Sequence, residues 1–118
     1  MSMPPPDTQT PPVTVIPTAI LAGEALSATV DVSGNDAAYV LMPGEWDDAA
    51  LTFQVSTDGI TFWDLCDEHG KEVVVTCKPA SAVIMHTNLK AVGFFRIRSG
   101  TSEAPIAQSE NRNFKIVC

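Results

Sequence analysis

Four residues of the sequence carry the ligand types of a tetrahedral zinc site, namely Cys66, His69, Cys77 and His86, and either histidine is by type a general base. Their spacing argues against both chemistries. The common zinc frameworks use short paired gaps at both ends, which these positions lack. His69 falls in a turn and His86 at a strand end, where a solvated imidazole is the ordinary outcome. The acids Asp58, Asp64, Asp67 and Glu68 lack the alternate-residue loop that wraps a calcium ion. The sequence has no glycine-rich phosphate loop, dinucleotide fingerprint or nucleophile elbow. The expectation is a protein that is not an enzyme, with no catalytic residue, no cofactor and no metal.

Two other residue classes could act at a surface. Trp46, Trp63 and Tyr39 have rings of the kind that stack on sugars. Trp63 follows Phe62, so in a regular strand one of the two points away from the interior. Trp46 and Trp63 are therefore the candidate exposed aromatic contacts, for protein or for glycan. The three cysteines, Cys66, Cys77 and Cys118, are too few for a disulfide scaffold. If Phe62 to Cys66 pairs with Glu72 to Cys77, Cys66 lies opposite about Glu72 and Cys77 opposite about Thr61. Their sulfurs are then roughly 17 Å apart, far beyond the ~6 Å between bridged Cα atoms. Cys118, at the end of the last strand, is expected to form an intersubunit disulfide with Cys66 or Cys77 of another copy. Three reduced thiols acting as small apolar side chains are the competing reading.

The elements that must position these groups are strands. Leu26, Ala28, Val30 and Val32 alternate with polar residues, as do Leu51, Phe53 and Val55, then Phe95 and Ile97, then Phe114 and Ile116. Shorter candidates are Ala38 to Met42, Phe62 to Leu65, Glu72 to Cys77 and Ala82 to His86. Turn residues punctuate them, and Asp58-Gly59 reads as the two-residue turn of a hairpin. No helix is expected. The pattern predicts an all-β fold, an antiparallel β-sandwich or jelly-roll-like domain over residues 18–118, with Phe53, Val55, Phe95, Ile97, Phe114 and Ile116 in its core. Residues 1–17 hold six of the nine prolines and read as an extended Pro-rich arm. In polyproline II such an arm reaches roughly 50 Å, and Pro11, Pro12, Val13, Val15 and Ile16 are its candidate contacts with a neighbouring surface.

Charge narrows the partners. The net charge is −7, which argues against nucleic acid and against an anionic membrane. Residues 1–70 hold eleven of the fourteen acids and no Lys or Arg, whereas residues 71–118 hold all seven basic residues. Either the two halves pair internally, or an acidic surface meets a basic one on another copy. The sequence contains no run of about 20 apolar residues and no signal-peptide pattern at Met1 to Asp7, so the expected site of synthesis is the cytoplasm.

The segment Asp58-Gly59-Ile60-Thr61-Phe62-Trp63-Asp64-Leu65, the run Gly70-Lys71-Glu72-Val73, and Phe95-Arg96-Ile97-Arg98-Ser99-Gly100-Thr101 with Ala104-Pro105, Gln108, Arg112 and Phe114 resemble a group of small structural proteins of tailed bacteriophages. Ala22-Gly23-Glu24-Ala25-Leu26-Ser27 and Met42-Pro43-Gly44-Glu45-Trp46 are similar to that group as well, and the match runs from about Ile20 to Val117. The resemblance implies a virion protein, such as a capsid decoration or linking protein, made in the host cytoplasm. Its implied partners are the major capsid protein or accessory subunits, bound as a homo-oligomer. A glycan-binding module of a tail or head fibre is the alternative.

Overall fold

Alternating apolar and polar residues place one face of a strand in oil and the other in water, so each strand needs a second layer to cover it. The computed structural model describes residues 14–33, 35–85 and 93–118. Within them lie eight strands: β1 (Val15–Ile20), β2 (Val30–Asp31), β3 (Tyr39–Leu41), β4 (Leu51–Ser56), β5 (Trp63–Asp64), β6 (Ala82–Ile84), β7 (Phe94–Ser99) and β8 (Arg112–Val117). There is no helix among the described residues. The strands make two antiparallel four-stranded sheets, sheet A in the order β1-β8-β3-β6 and sheet B in the order β2-β7-β4-β5.

The two sheets share one core. Sheet A contributes Ile20, Val40, Phe114 and Ile116, and sheet B contributes Val30, Leu51, Phe53, Phe95 and Ile97, all buried. Five of the six expected core residues are thus fully enclosed, and Val55 is half-buried at the margin. Phe53 meets Phe95 edge to face at 6.3 Å between ring centroids. Trp46 meets Phe114 in the same way at 5.5 Å, and its Nε1 donates to the Ala49 carbonyl. Trp46 is therefore part of the core's wall, contrary to the expectation of an exposed contact, because the ring is held by an indole hydrogen bond and a phenyl edge.

Three further expectations change. The arm was expected to extend through Pro17, but Val15, Ile16 and Pro17 pair with Val117, Ile116 and Lys115 as the first half of β1. Thr14 exchanges both backbone bonds with Cys118, so even-numbered residues of β1 face β8 and the nitrogen of Pro17 faces the open edge. A proline is tolerated there because no donor is needed. Pro11, Pro12, Val13 and His86 lie outside the described residues.

Asp58-Gly59 does not form a two-residue turn. Val55 pairs with Trp63 and Gln54 with Asp64, which leaves residues 57–62 as the loop. Asp58 Oδ1 accepts from the Ile60 and Thr61 amides and Ser56 Oγ accepts from Gly59, so side-chain caps set a wider loop than the dipeptide alone would. Cys66 does lie opposite Glu72, but the returning chain then leaves β5 and Val75 pairs with Leu51 of β4. The expected strand from Glu72 to Cys77 is reduced to these two bridges.

Gly100 ends β7 at φ +87, and a Cβ there would lie 2.5 Å from the Ala104 carbonyl oxygen and 2.8 Å from the Ile106 nitrogen. Gly100→Ala should therefore cost more than the roughly 1–2 kcal/mol of left-handed backbone alone. Phe114→Ala should cost about 3–5 kcal/mol. Urea unfolding checks both, and a midpoint equal to wild type would show that the β7 turn or the β8 register differs from that described.

Candidate functional site

The charges are placed by two arginines. Arg98, on the outer face of sheet B, is buried, and its Nε donates to Thr52 Oγ1 at 3.0 Å. Its Nη1 donates to Asp64 Oδ1 at 2.9 Å and its Nη2 to Glu72 Oε2 at 2.6 Å. Glu72 in turn accepts from the Ser102 amide. This cluster ties the Cys66–Glu72 hairpin to β7. Beside it the Arg96 guanidinium stacks over the Phe62 ring at 3.8 Å.

Arg112 stands on the inner side of β8 and closes one end of the core. Its Nε donates to Gln108 Oε1 at 3.1 Å and its Nη2 to Asp47 Oδ1 at 3.0 Å. Gln108 is fully buried and donates to Ser99 Oγ and to the Asp47 carbonyl. Hydrogen bonds from the Ser109 amide and hydroxyl, together with Arg112, hold the Asp47 carboxyl below its ordinary value. Both networks join segments distant in sequence and read as struts, and Arg112 Nη1 has only the exposed Glu45, 4.0 Å away, beside it. Asp47 and Asp64 come from the acidic half and Arg98 and Arg112 from the basic half, so two of the eleven acids of that half are paired inside the chain with arginines of the other.

Of the four residues with zinc-ligand types, Cys66, His69 and Cys77 are described and His86 is not. Among the described residues no group of three or more His, Cys, Asp or Glu could hold an ion. Asp58 is occupied by the Thr61 and Ile60 amides and the Ser56 hydroxyl, which lower its pKa. The three thiols are unpaired: Cys66 is exposed, whereas Cys77 and Cys118 are half-buried. Burial, with Asp48 beside Cys77 and Asp36 beside Cys118, raises both thiol pKa values and keeps them protonated. Of the two tryptophans only Trp63, 67% exposed on β5, presents its ring to solvent.

The outer face of sheet A is of another kind. Its register aligns Val15, Val117, Tyr39 and Ile84 in one row across all four strands. The next row is Pro17, Lys115, Leu41 and Ala82. Seven of these eight positions are apolar or aromatic, Lys115 is the one charge, and none is acidic. Val15 and Ile84 at the two ends of the first row are 49% and 63% exposed, whereas Val117 between them is buried and Tyr39 half-buried. A depression of about 350 Å³ opens here, lined by Pro17, Thr18, Leu41, Met42, Asn113 and Lys115 with Phe114 beneath. A larger groove of about 720 Å³ runs past the free edge of β6, between Ala82–Ile84 and residues 73–78. Sequence reasoning saw Val15 as arm, and Tyr39 as a residue of the Ala38 to Met42 strand and a sugar-stacking ring. The row exists only once four distant segments are in register, and no local pattern announces it.

Among the described residues no helix is long and apolar enough to cross a membrane. No protein-family model matches the chain, no curated protein matches it in sequence, and no solved structure matches it in fold.

Two measurements check the struts. Arg98→Met leaves Glu72 half-enclosed without its cation and should cost about 3 kcal/mol in urea. The depressed carboxyls of Asp31, Asp47 and Asp58 stabilise the fold above the ordinary aspartate pKa of 3.8. That contribution is lost as the pH falls from there through the lower folded values. The melting temperature should therefore be flat from neutrality to about pH 4 and fall below it, less steeply in Asp58→Asn, which starts from a lower neutral value. An identical acid slope in that variant would show that the Asp58 loop carries none of the linkage.

Proposed function

We propose that this chain is a non-enzymatic structural protein of a tailed-phage virion, a β-sandwich of jelly-roll type. In this reading it binds the capsid surface or a neighbouring accessory subunit through the outer face of sheet A and the N-terminal arm, as a homo-oligomer. The carrying observation is that face: apolar, free of acids and crossed by one continuous row, on a chain of net charge −7. Val15, Pro17, Ala82 and Ile84 are its exposed apolar members, and an exposed apolar patch of this kind marks a contact site.

The strand pairing supports the architecture. β1 pairs with β8, β2 with β7, β3 with β6 and β4 with β5, as in a single double-stranded ribbon rolled up on itself. That is the jelly-roll order, common in viral capsid and lectin domains. At this level the support is fold analogy, and the virion setting comes from the resemblance of the strand-and-turn segments. The arginine networks, which act as struts between distant segments, fit a role without catalysis. Cross-linking between subunits falls more readily to exposed Cys66 than to Cys118, whose thiol is held protonated. The glycan reading rests on Trp63 alone, since Trp46 is committed to Phe114.

Quantitative mass spectrometry of particles purified from a host that produces the protein tests this. The expected result is a fixed copy number per particle, reduced at least tenfold by Ile84→Asp, which is exposed enough to leave the melting temperature unchanged. Particles that lack the chain overturn the virion role. Saturable quenching of Trp63 fluorescence by a sugar would favour the fibre module instead.

A further inference from the structure

The apolar face of sheet A needs an occupant, and its size limits the choice. Four strands at about 4.8 Å spacing and six residues at about 3.3 Å give a face of roughly 300 Å². A stable protein–protein interface needs about 800 Å² from each partner. Two copies packed face to face fall well short, whereas a short extended peptide is the right size. The face asks for a ligand that is apolar, rigid and carries one negative charge to meet Lys115.

This sequence contains such a peptide. The residues that precede Thr14 hold five prolines, and their one charged side chain is Asp7, directly after Pro4-Pro5-Pro6. We propose that Pro4–Asp7 of one copy docks on the outer face of sheet A of a neighbouring copy. The prolines lie in the depression lined by Pro17, Leu41 and Lys115, and Asp7 faces Lys115. Polyproline segments bind apolar grooves in this way because little backbone entropy remains to be lost.

Geometry selects the neighbour over the same copy. Thr14 exchanges its backbone hydrogen bonds with Cys118 at the very end of the β1–β8 ladder. A chain that continued β1 backwards from there would leave the sheet along the strand axis, away from its own depression. Asp7 is seven residues before Thr14, about 22 Å in polyproline II. Lys115 lies three residues along β8 and one strand over, only about 11 Å from Thr14. An extended arm of that length would overshoot its own Lys115, and it is long enough to reach a neighbouring copy. The contact is heterologous, so it propagates into a ring or an array.

This inference rests on the reading of that face as a binding surface, but its test needs no particle. Full-length protein carrying p-benzoylphenylalanine in place of Pro5 is mixed in ¹⁴N and ¹⁵N forms and irradiated. Cross-links joining the arm of one isotope to residues 15–20, 39–42 or 112–118 of the other are expected. Cross-links confined to single copies, or none to that face, overturn the proposal. Sedimentation velocity provides the second arm: Asp7→Lys and Lys115→Asp should each weaken self-association at least tenfold, and the double variant should restore it. A double variant no better than either single one overturns the pairing. Particle incorporation without intercopy cross-links would sink this contact and leave the virion role standing.

Discussion

Sheet A depends on the arrival of β8, which pairs with β1 on one side and β3 on the other. The sheet has no middle until Arg112–Val117 meets Val15–Ile20 from the far end of the chain. That meeting fixes Ile20, Phe114 and Ile116 under sheet B and brings Arg112 over the core's open end. The entropy of closing so long a loop rises only logarithmically with its length, so stability tolerates it. Folding speed suffers more, because non-local pairings must form before burial rewards them.

The same register explains where the charges went. Acids of the first half reach arginines of the second through Asp64 with Arg98 and Asp47 with Arg112. Arg98 secures the hairpin side of sheet B, and Arg112 fastens the Asp47 loop to the strand that lines the core. Sheet B thus turns a polar, ion-paired face outward, while sheet A turns outward valine, isoleucine, tyrosine and leucine. A two-layered fold needs only one apolar face per sheet. Sheet A has two.

The all-β character, the long strands and most of the core were legible because each rests on a local rule. Alternation at Leu51, Phe53, Phe95, Ile97, Phe114 and Ile116 holds wherever both neighbours are strands. What was not legible depends on pairing. Pro17 reads as arm until its nitrogen is known to face an open edge, and Asp58-Gly59 reads as a tight turn until the Asp58 carboxylate is seen capping two amides. Trp46 and Trp63 are each followed by an aspartate, and nothing local to either tells that one lies against Phe114 and the other faces water. Gln108 sits in an unstructured stretch of polar residues and nonetheless is fully buried, because three separate segments converge on its amide.

The antiparallel registration of β1 on β8 also sets how the protein carries load. Tension applied at Thr14 along the strand axis, with the body of the domain held, does not peel β1 from β8 one bond at a time. It slides six paired residues past one another, so the ladder bonds resist together in shear. Tension applied across the sheet would open the same ladder like a zipper, from Thr14 and Cys118 inward, against one bond pair at a time. The domain is therefore mechanically anisotropic: strong along the axis of β1, and weak across it.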